Sequence, residues 1–407
     1  MKTRNGAPTP ERPDGSAAPA PPPTWAGIEL EALSWNVRLL RRHVGPRCRL
    51  LAVVKADAYG HGMADVARRL ASEGVDGLCV ARVSEGLELR RSGFDTPILV
   101  LGPLDRAALE SCSASALTPT LFDAAGLAAL EKIGAARGRR LGFHLKIDTG
   151  MGRLGLPMEA LGDWLRDLGR SAHVRLEGLY SHLASVEVVR GEVSQRQLDR
   201  YRSAVASAES SGQRGFIKHL AASSAVLDLP EAWFDAVRPG LALYGVHPAH
   251  GSSRLGLRPV MSVRARVAAV RDVPEGSALG YEGTFVTRRR SRIAVLPIGY
   301  ADGLPRAHSN RGCVILGGNR APIVGLVSMD LTLVDVTDVP AVVVGDEVTV
   351  FGDEGRGRPL EEFAADASLS PYEILCGMGS RVIRIYREGN RTVAEQPRTR
   401  AERVAAP

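Results

Sequence analysis

The chain has 407 residues, 44% of them hydrophobic and 24% charged, with a formal net charge of +7. That length supports two domains with a sizeable core, and the composition is that of an ordinary globular protein. The positive balance does not read as nucleic-acid binding, because only 5% of residues are aromatic and the arginines are scattered; Arg288-Arg289-Arg290 reads as a solvated loop.

Residues 1–24 are polar, rich in Pro and Ala, and lack an apolar stretch. A disordered tail is expected there, not a signal peptide or a membrane span. From Trp25 to residue 250, eight short apolar runs alternate with amphipathic stretches. The runs lie at 50–54, 77–81, 97–101, 116–121, 141–147, 176–181, 216–221 and 236–243, with helix-like periodicity at 63–72, 123–136 and 157–168. Such alternation implies a parallel α/β sheet, and eight units over roughly 220 residues favour a (β/α)8 barrel. Periodicity alone also allows an open doubly wound sheet. After His247 the helical pattern nearly vanishes. Short β-rich runs at 262–273, 292–297, 313–316, 322–327 and 347–351, with one helical stretch at 360–365, predict a mostly β domain over 251–387. A linker rich in Gly, Ser, His and Pro is expected at 247–257, and a second disordered tail at 388–407. Five cysteines lie far apart with no CxxC pair. No zinc site is expected, and the sparse, odd count fits a reducing, cytoplasmic compartment.

In a barrel the active-site groups follow the C-terminal ends of the strands. The first run ends in Lys55, followed by Tyr59. A lysine there is either a snorkelling strand-end residue or a desolvated amine able to form a Schiff base with an aldehyde cofactor. Tyr59 is placed to bond a phosphate. The fifth run leads into Gly150-Met151-Gly152-Arg153-Leu154-Gly155, which matches a dinucleotide-binding fingerprint. It is the fifth unit, however, and the next run ends in His182 rather than an acidic residue. These glycines read instead as a sharp turn that delivers Arg153 to the mouth. The seventh run ends in Ser223-Ser224 and the eighth carries Arg238-Pro239-Gly240-Leu241. Loops after strands seven and eight often bind phosphate in this fold.

Several stretches together resemble the bacterial alanine racemase family over residues 28–386. They are AVVKADAYGHG (52–62), KIDTGMGRLG (146–155), EGLYSHLAS (177–185), VRPGLALYG (237–245), GYEGTF (280–285), LPIGYADGLPR (296–306), VSMD (327–330) and PYEILC (371–376). The resemblance implies pyridoxal 5'-phosphate on Lys55, with Tyr59, Ser224, the Gly240-Leu241 backbone and Tyr372 around its phosphate. It implies that Arg153 bonds the phenolic oxygen and that Lys146 is a lysine often carboxylated in the family. Arg238 would face the pyridine nitrogen, with His182 bonded behind it. Tyr281 matches the second catalytic base. It and Met329 would reach the partner subunit's cofactor in a homodimer, and Tyr300 would line the substrate entrance. Racemisation needs two acid/base groups on opposite faces of a planar carbon, which Lys55 and Tyr281 from different domains would supply. No nucleic-acid or membrane partner is expected.

Three positions depart from the family pattern: Ser223 where Asn is usual, Glu282 where Gly follows the tyrosine, and Val186-Glu187-Val188 after SHLAS. Ser223 and Glu282 are candidates for tuning substrate choice, although Glu282 reads more simply as pointing to the entrance or solvent. The expected activity is interconversion of L- and D-alanine, with supply of D-alanine to the cell wall as the family role. Alternatives are a serine or broad-specificity racemase, a decarboxylase or aldolase of the same fold, a cofactor-binding protein without turnover, and a phosphate-binding barrel enzyme without the cofactor. Arg238 and Tyr281 argue against the decarboxylase or aldolase, and Tyr281 and the second domain against the binding protein; a yellow colour on purification would discard the last.

Overall fold

The computed structural model describes residues 22–185, 190–248, 255–352, 357–389 and 391–395. Most of the first expected tail (1–21), the centre of the expected linker (249–254) and Val186-Glu187-Val188 lie outside the described residues.

The eight apolar runs form a closed parallel barrel. Its strands are β2 (Arg49–Val53), β3 (Gly77–Val80), β4 (Ile98–Val100), β5 (Thr118–Leu121), β6 (Leu141–Asp148), β8 (Val174–Tyr180), β9 (Ile217–Ala222) and β10 (Ala236–Arg238). Each pairs in parallel with the next, β10 returns to β2, and the β5–β6 pairing completes the ring. A two-residue strand, β7 (Leu156–Pro157), extends the end of β6. Strands buried on both faces are continuous apolar runs, as in Gly77–Val80, where every residue is buried. The surrounding helices bury one stripe. In Leu161–Arg170 the buried residues are Leu161, Trp164, Leu165 and Leu168, spaced i, i+3, i+4 and i+7. Asp105 and Asp123 begin their helices by accepting the amides of Ala108 and Gly126.

The second body is β-rich. A seven-stranded sheet has the order β17 (Asn319–Pro322), β16 (Cys313–Leu316), β19 (Glu347–Phe351), β11 (Met261–Arg266), β1 (Thr24–Glu29), β20 (Ile383–Glu388), β21 (Arg391–Glu395). Beside it lie β12 (Ala269–Val273), β15 (Ser291–Leu296) and β18 (Thr332–Asp335) in a three-stranded sheet. A short ribbon of β13 (Ala278–Leu279) and β14 (Phe285–Val286) completes the set.

Four details differ from the sequence reading. Thr24–Glu29, at the head of the barrel segment, is a strand of the β sheet, antiparallel to β11 and parallel to β20. Its partners lie more than 230 residues away along the chain, so no local pattern reveals them. The run at 262–273 divides at Val267-Ala268, where the chain leaves one sheet for the other. The run at 322–327 is not a strand: Pro322 closes β17 and Gly325 turns at φ +76. Arg391–Glu395, placed by composition in a tail, pairs antiparallel with β20.

Ile28, fully buried in the inner strand β1, ties the first described residues to the second domain. Ile28→Ala is expected to destabilise the protein by about 2–5 kcal/mol, seen as a lower thermal midpoint of the β-domain transition. An unchanged midpoint would show that β1 is peripheral.

Candidate active site

Lys55 follows β2 at the barrel mouth and is half-buried. The chain after it takes an uncommon path. Ala56, Asp57, Ala58 and Tyr59 all have φ between +53 and +54, one turn of left-handed helix. For residues with a Cβ this costs about 1–2 kcal/mol each, so surrounding structure must hold it. The Ala58 amide bonds Val54 O at 2.8 Å, and Asp57 Oδ1 accepts the Met63 amide at 2.8 Å. From the second domain, the buried Arg384 donates to Gly60 O at 3.0 Å, and the Tyr386 hydroxyl donates to His61 O at 3.1 Å. Gly60 is required by contact, since a Cβ there would lie 2.2 Å from Leu375 O. Burial and the neighbouring Arg153 guanidinium lower the Lys55 pKa, which favours its nucleophilic neutral form.

The turn aims Tyr59 inward, where it meets the loop after β10. A Cβ on Gly240 would lie 2.4 Å from the Tyr59 hydroxyl. The Tyr59 ring packs 5.0 Å from Tyr244 and 5.8 Å from Tyr372, which comes from the helix Pro371–Gly377. Ser224, in the first turn of Ser223–Asp228, is buried next to Ser223, whose hydroxyl meets the Gly240 loop. The Tyr59 hydroxyl, with the Tyr372 ring beside its own, thus meets the start of the 3-10 helix Leu241–Tyr244 at Gly240 and forms one cradle. The donor set and the close approach at Gly240 fit a phosphate group. One expected ligand changes role. The Gly240 amide donates to Ser223 Oγ at 2.9 Å, and the Ala242 amide to the same oxygen at 3.2 Å. Gly240 therefore gives space rather than an amide, and Ser223 ties the loop down from within.

Arg238 is buried at the end of β10. Its two terminal nitrogens make four bonds: to His219 Nδ1 (2.7 Å), His219 O (2.9 Å), Ser181 O (2.7 Å) and Leu220 O (3.1 Å). Nε–H is the donor left over. The sequence expectation that His182 stands behind Arg238 is corrected here, since that place is taken by His219, which bonds on to His144 at 2.9 Å. His182 follows Ser181, whose carbonyl Arg238 uses instead. Burial, with Arg238 the largest charge upon it, lowers the His182 pKa to about 3, so its imidazole is neutral. Lys146, on β6, is buried with its Nζ 5.6 Å from the Tyr180 ring centroid. Burial and then Arg238 and Arg153 bring its pKa down to about 8. Lys55, Lys146, Arg153 and Arg238 make the mouth strongly cationic, which suits an anionic ligand.

The fingerprint loop also resolves. Asp148 Oδ1 accepts the amides of Gly150, Met151 and Gly152 at 2.9–3.2 Å. The amides a pyrophosphate would need are already taken, and the exposed Arg153 is carried at the end of that turn. Gln197, which the sequence pattern does not single out, braces both loops: it donates to Thr149 Oγ1 at 3.4 Å and to His182 O at 3.1 Å, and accepts the Ala184 amide at 2.8 Å. It lies on the helix Glu192–Ser210, among residues whose pattern shows only a buried stripe.

Tyr281, Tyr300 and Met329 are surface residues. They stand 69%, 45% and 52% exposed on the β domain. Tyr300 and Met329 are on adjoining segments, joined by Tyr300 N to Ser328 O and Ala301 N to Met329 O, both at 3.0 Å. Glu282 has φ +60, a conformation that favours glycine. That accounts for the glycine usual at this position, and its carboxylate is on the exposed face. Among the described residues there is no cluster of His, Cys, Asp or Glu able to hold a metal, and no helix long and apolar enough to cross a membrane.

A closed barrel with a desolvated lysine and a phosphate cradle at its mouth, followed by a β-rich domain, defines a class of two-domain barrel enzymes built around a phosphate-bearing ligand. The sequence profiles "Alanine racemase, N-terminal domain" and "Alanine racemase, C-terminal domain" match residues 28–248 and 260–386. An alanine racemase of Symbiobacterium thermophilum is 42% identical over 366 residues, covering 89% of this chain and 97% of the relative. Alanine racemase from Bacillus anthracis with bound L-Ala-P superposes with a TM-score of 0.86 at 30% identity, covering 93% of this chain and 98% of that one. The Bartonella henselae enzyme with covalently bound pyridoxal phosphate gives 0.84 at 33%, covering 90% and 100%. The chain belongs to the alanine racemase family.

Gly240→Ala is expected to push the Tyr59 hydroxyl out of the cradle and weaken cofactor retention at least about tenfold, the equivalent of 1.4 kcal/mol, with the fold intact by circular dichroism. Retention equal to wild type would show that the close approach is not part of the site.

Proposed function

We propose that this protein is a pyridoxal 5'-phosphate-dependent alanine racemase that interconverts L- and D-alanine as a homodimer. The observation that carries the reading is the pairing of a desolvated Lys55 amine with the Tyr59–Gly240 cradle at one barrel mouth. Lys55 would hold the cofactor aldehyde, and Tyr59, Tyr372, Ser224 and the Leu241 amide its phosphate. Arg238 would offer Nε–H to the ring nitrogen, and Arg153 would bond the phenolic oxygen. Bound there, the cofactor draws electron density from the substrate α-carbon and acidifies its proton.

The chain's own groups then handle that proton. Lys55 Nζ removes it from, or returns it to, one face, serving the D-enantiomer. The other face needs a second base. Tyr281 fits this role only from a neighbouring copy, because within one chain it projects from the surface. The same exposed face carries Tyr300 and Met329, which would line the substrate entrance across the interface. Arg238 keeps its proton, so the ring nitrogen gains no proton from it. That limits electron withdrawal and disfavours side reactions such as transamination. His182, kept neutral by burial and Arg238, would stand near the incoming base.

Lys146 has a further part. Its amine has a sizeable neutral fraction near pH 8 and is suited to take up carbon dioxide with loss of a proton. The resulting carbamate anion would offset the crowded cations and orient Arg153. The family role implies a cytoplasmic enzyme supplying D-alanine to the cell wall. A racemase for another small amino acid would use the same groups, and Ser223, holding the cradle loop, argues for a structural rather than a specificity role at that departure.

Incubated with single L-amino acids, the holoenzyme is expected to form D-alanine fastest by chiral chromatography, with Lys55→Ala inactive. A faster D-serine product would change the substrate, and no D-product at all would overturn the reading. Loading of apoprotein with cofactor, followed by absorbance, is expected to rise with pH and reach half-maximum below the ordinary lysine value of 10.5, because the Lys55 pKa is lowered. A midpoint at or above that value would contradict the desolvated amine.

A further inference from the structure

The barrel has a second polar opening at the end opposite Lys55. A cavity of about 520 Å³ lies under the N-terminal ends of the strands, with apolar walls that include Leu51, Leu78 and Leu176. Arg49, Arg175 and Arg214 surround it. This end of a barrel ordinarily serves stability, which a set of arginines around a cavity does not explain. The carboxylates there are already engaged. Asp76 pairs with Arg41 at 2.8 Å, and Glu177 pairs with Arg175. Arg49 and Arg214 reach no carboxylate within 4.0 Å among the described residues. Arg214 is instead held to the carbonyls of Glu209 and Gln213.

His144 reaches the same cavity from the buried core. Its proton position follows from Arg238. A guanidinium has no acceptor, so His219 Nδ1, 2.7 Å from Arg238, must accept. His219 then carries its hydrogen on Nε2 and donates it to His144 Nδ1 at 2.9 Å. His144 is left with its hydrogen on Nε2, the nitrogen that remains for the cavity. Gly178 makes room for this ring, since a Cβ there would lie 2.5 Å from His144 Nδ1.

We propose that this cavity is a binding site for a small oxyanion, a phosphate or carboxylate, received by His144 Nε2–H with Arg49 and Arg214. The floor of the site offers a donor because the buried Arg238 sets the direction of every bond in the chain. The volume falls in the range of small-molecule pockets, roughly 300–1,000 Å³, so an organic anion with a compact apolar part fits as well as an inorganic one. The inference rests on the His144–His219–Arg238 chain and the cavity, not on the racemase reading.

The probe is inorganic phosphate added to the holoenzyme, where the cofactor occupies its own phosphate site. At about 20 mM phosphate the thermal midpoint is expected to rise by about 2 °C over chloride at equal ionic strength. Arg49→Gln and Arg214→Gln should abolish that difference. Histidine-selective 15N spectra of the wild type should show phosphate moving the His144 Nε2 resonance. No midpoint difference and no His144 shift in the wild type would overturn the proposal. So would a difference undiminished in both variants.

Discussion

The site depends on one strained element, the left-handed turn at Ala56–Tyr59. An ordinary right-handed turn after Lys55 would send Tyr59 elsewhere, and the Gly240 cradle would lose the hydroxyl that defines it. Four consecutive positive-φ residues are unfavourable on their own, and the bonds that hold them come from both domains. Arg384, Tyr386 and Leu375 lie more than 300 residues further along the chain, yet they meet Gly60 and His61, where the turn after Lys55 ends. This gives the β domain a task beyond carrying Tyr281. It locks the geometry of the barrel mouth it covers.

Electrostatics supplies the second constraint. Four cations share the mouth, and burial followed by the neighbouring charges lowers the pKa of both Lys55 and Lys146. The effect is strongest on the two lysines, because arginine holds its proton in nearly any protein setting. The arrangement therefore favours neutral amines at Lys55 and Lys146, a form suited to a nucleophile or base. Arg238 is further secured by His219 and three carbonyls, so its one remaining N–H has a fixed direction.

Much of this was legible in the sequence because it is local. The barrel appears in eight runs with the right spacing; Lys55 and His182 each follow a run directly, Ser224 comes three residues after one, and Arg238 lies within the eighth. The misses are non-local. β1 belongs to a sheet whose other strands lie far along the chain. His219 and His144 sit inside strands whose alternation looks like core, and only the closed barrel turns them toward Arg238. Ser223 departs from the family residue, but its buried hydroxyl binding two amides shows why a small polar group suffices there. Glu282 departs at a position whose φ favours glycine, a fact that no sequence pattern displays.

The central claim is that each active site combines Lys55 of one chain with Tyr281 of another. Lys55→Ala and Tyr281→Phe, each inactive alone, test it most directly when co-expressed and assayed for D-alanine. Crossed pairs would contain one intact site, so random pairing should restore about a quarter of wild-type activity if dimers form by a two-fold interface. If both residues served the same chain's site, no mixture would recover activity, and the account would be contradicted.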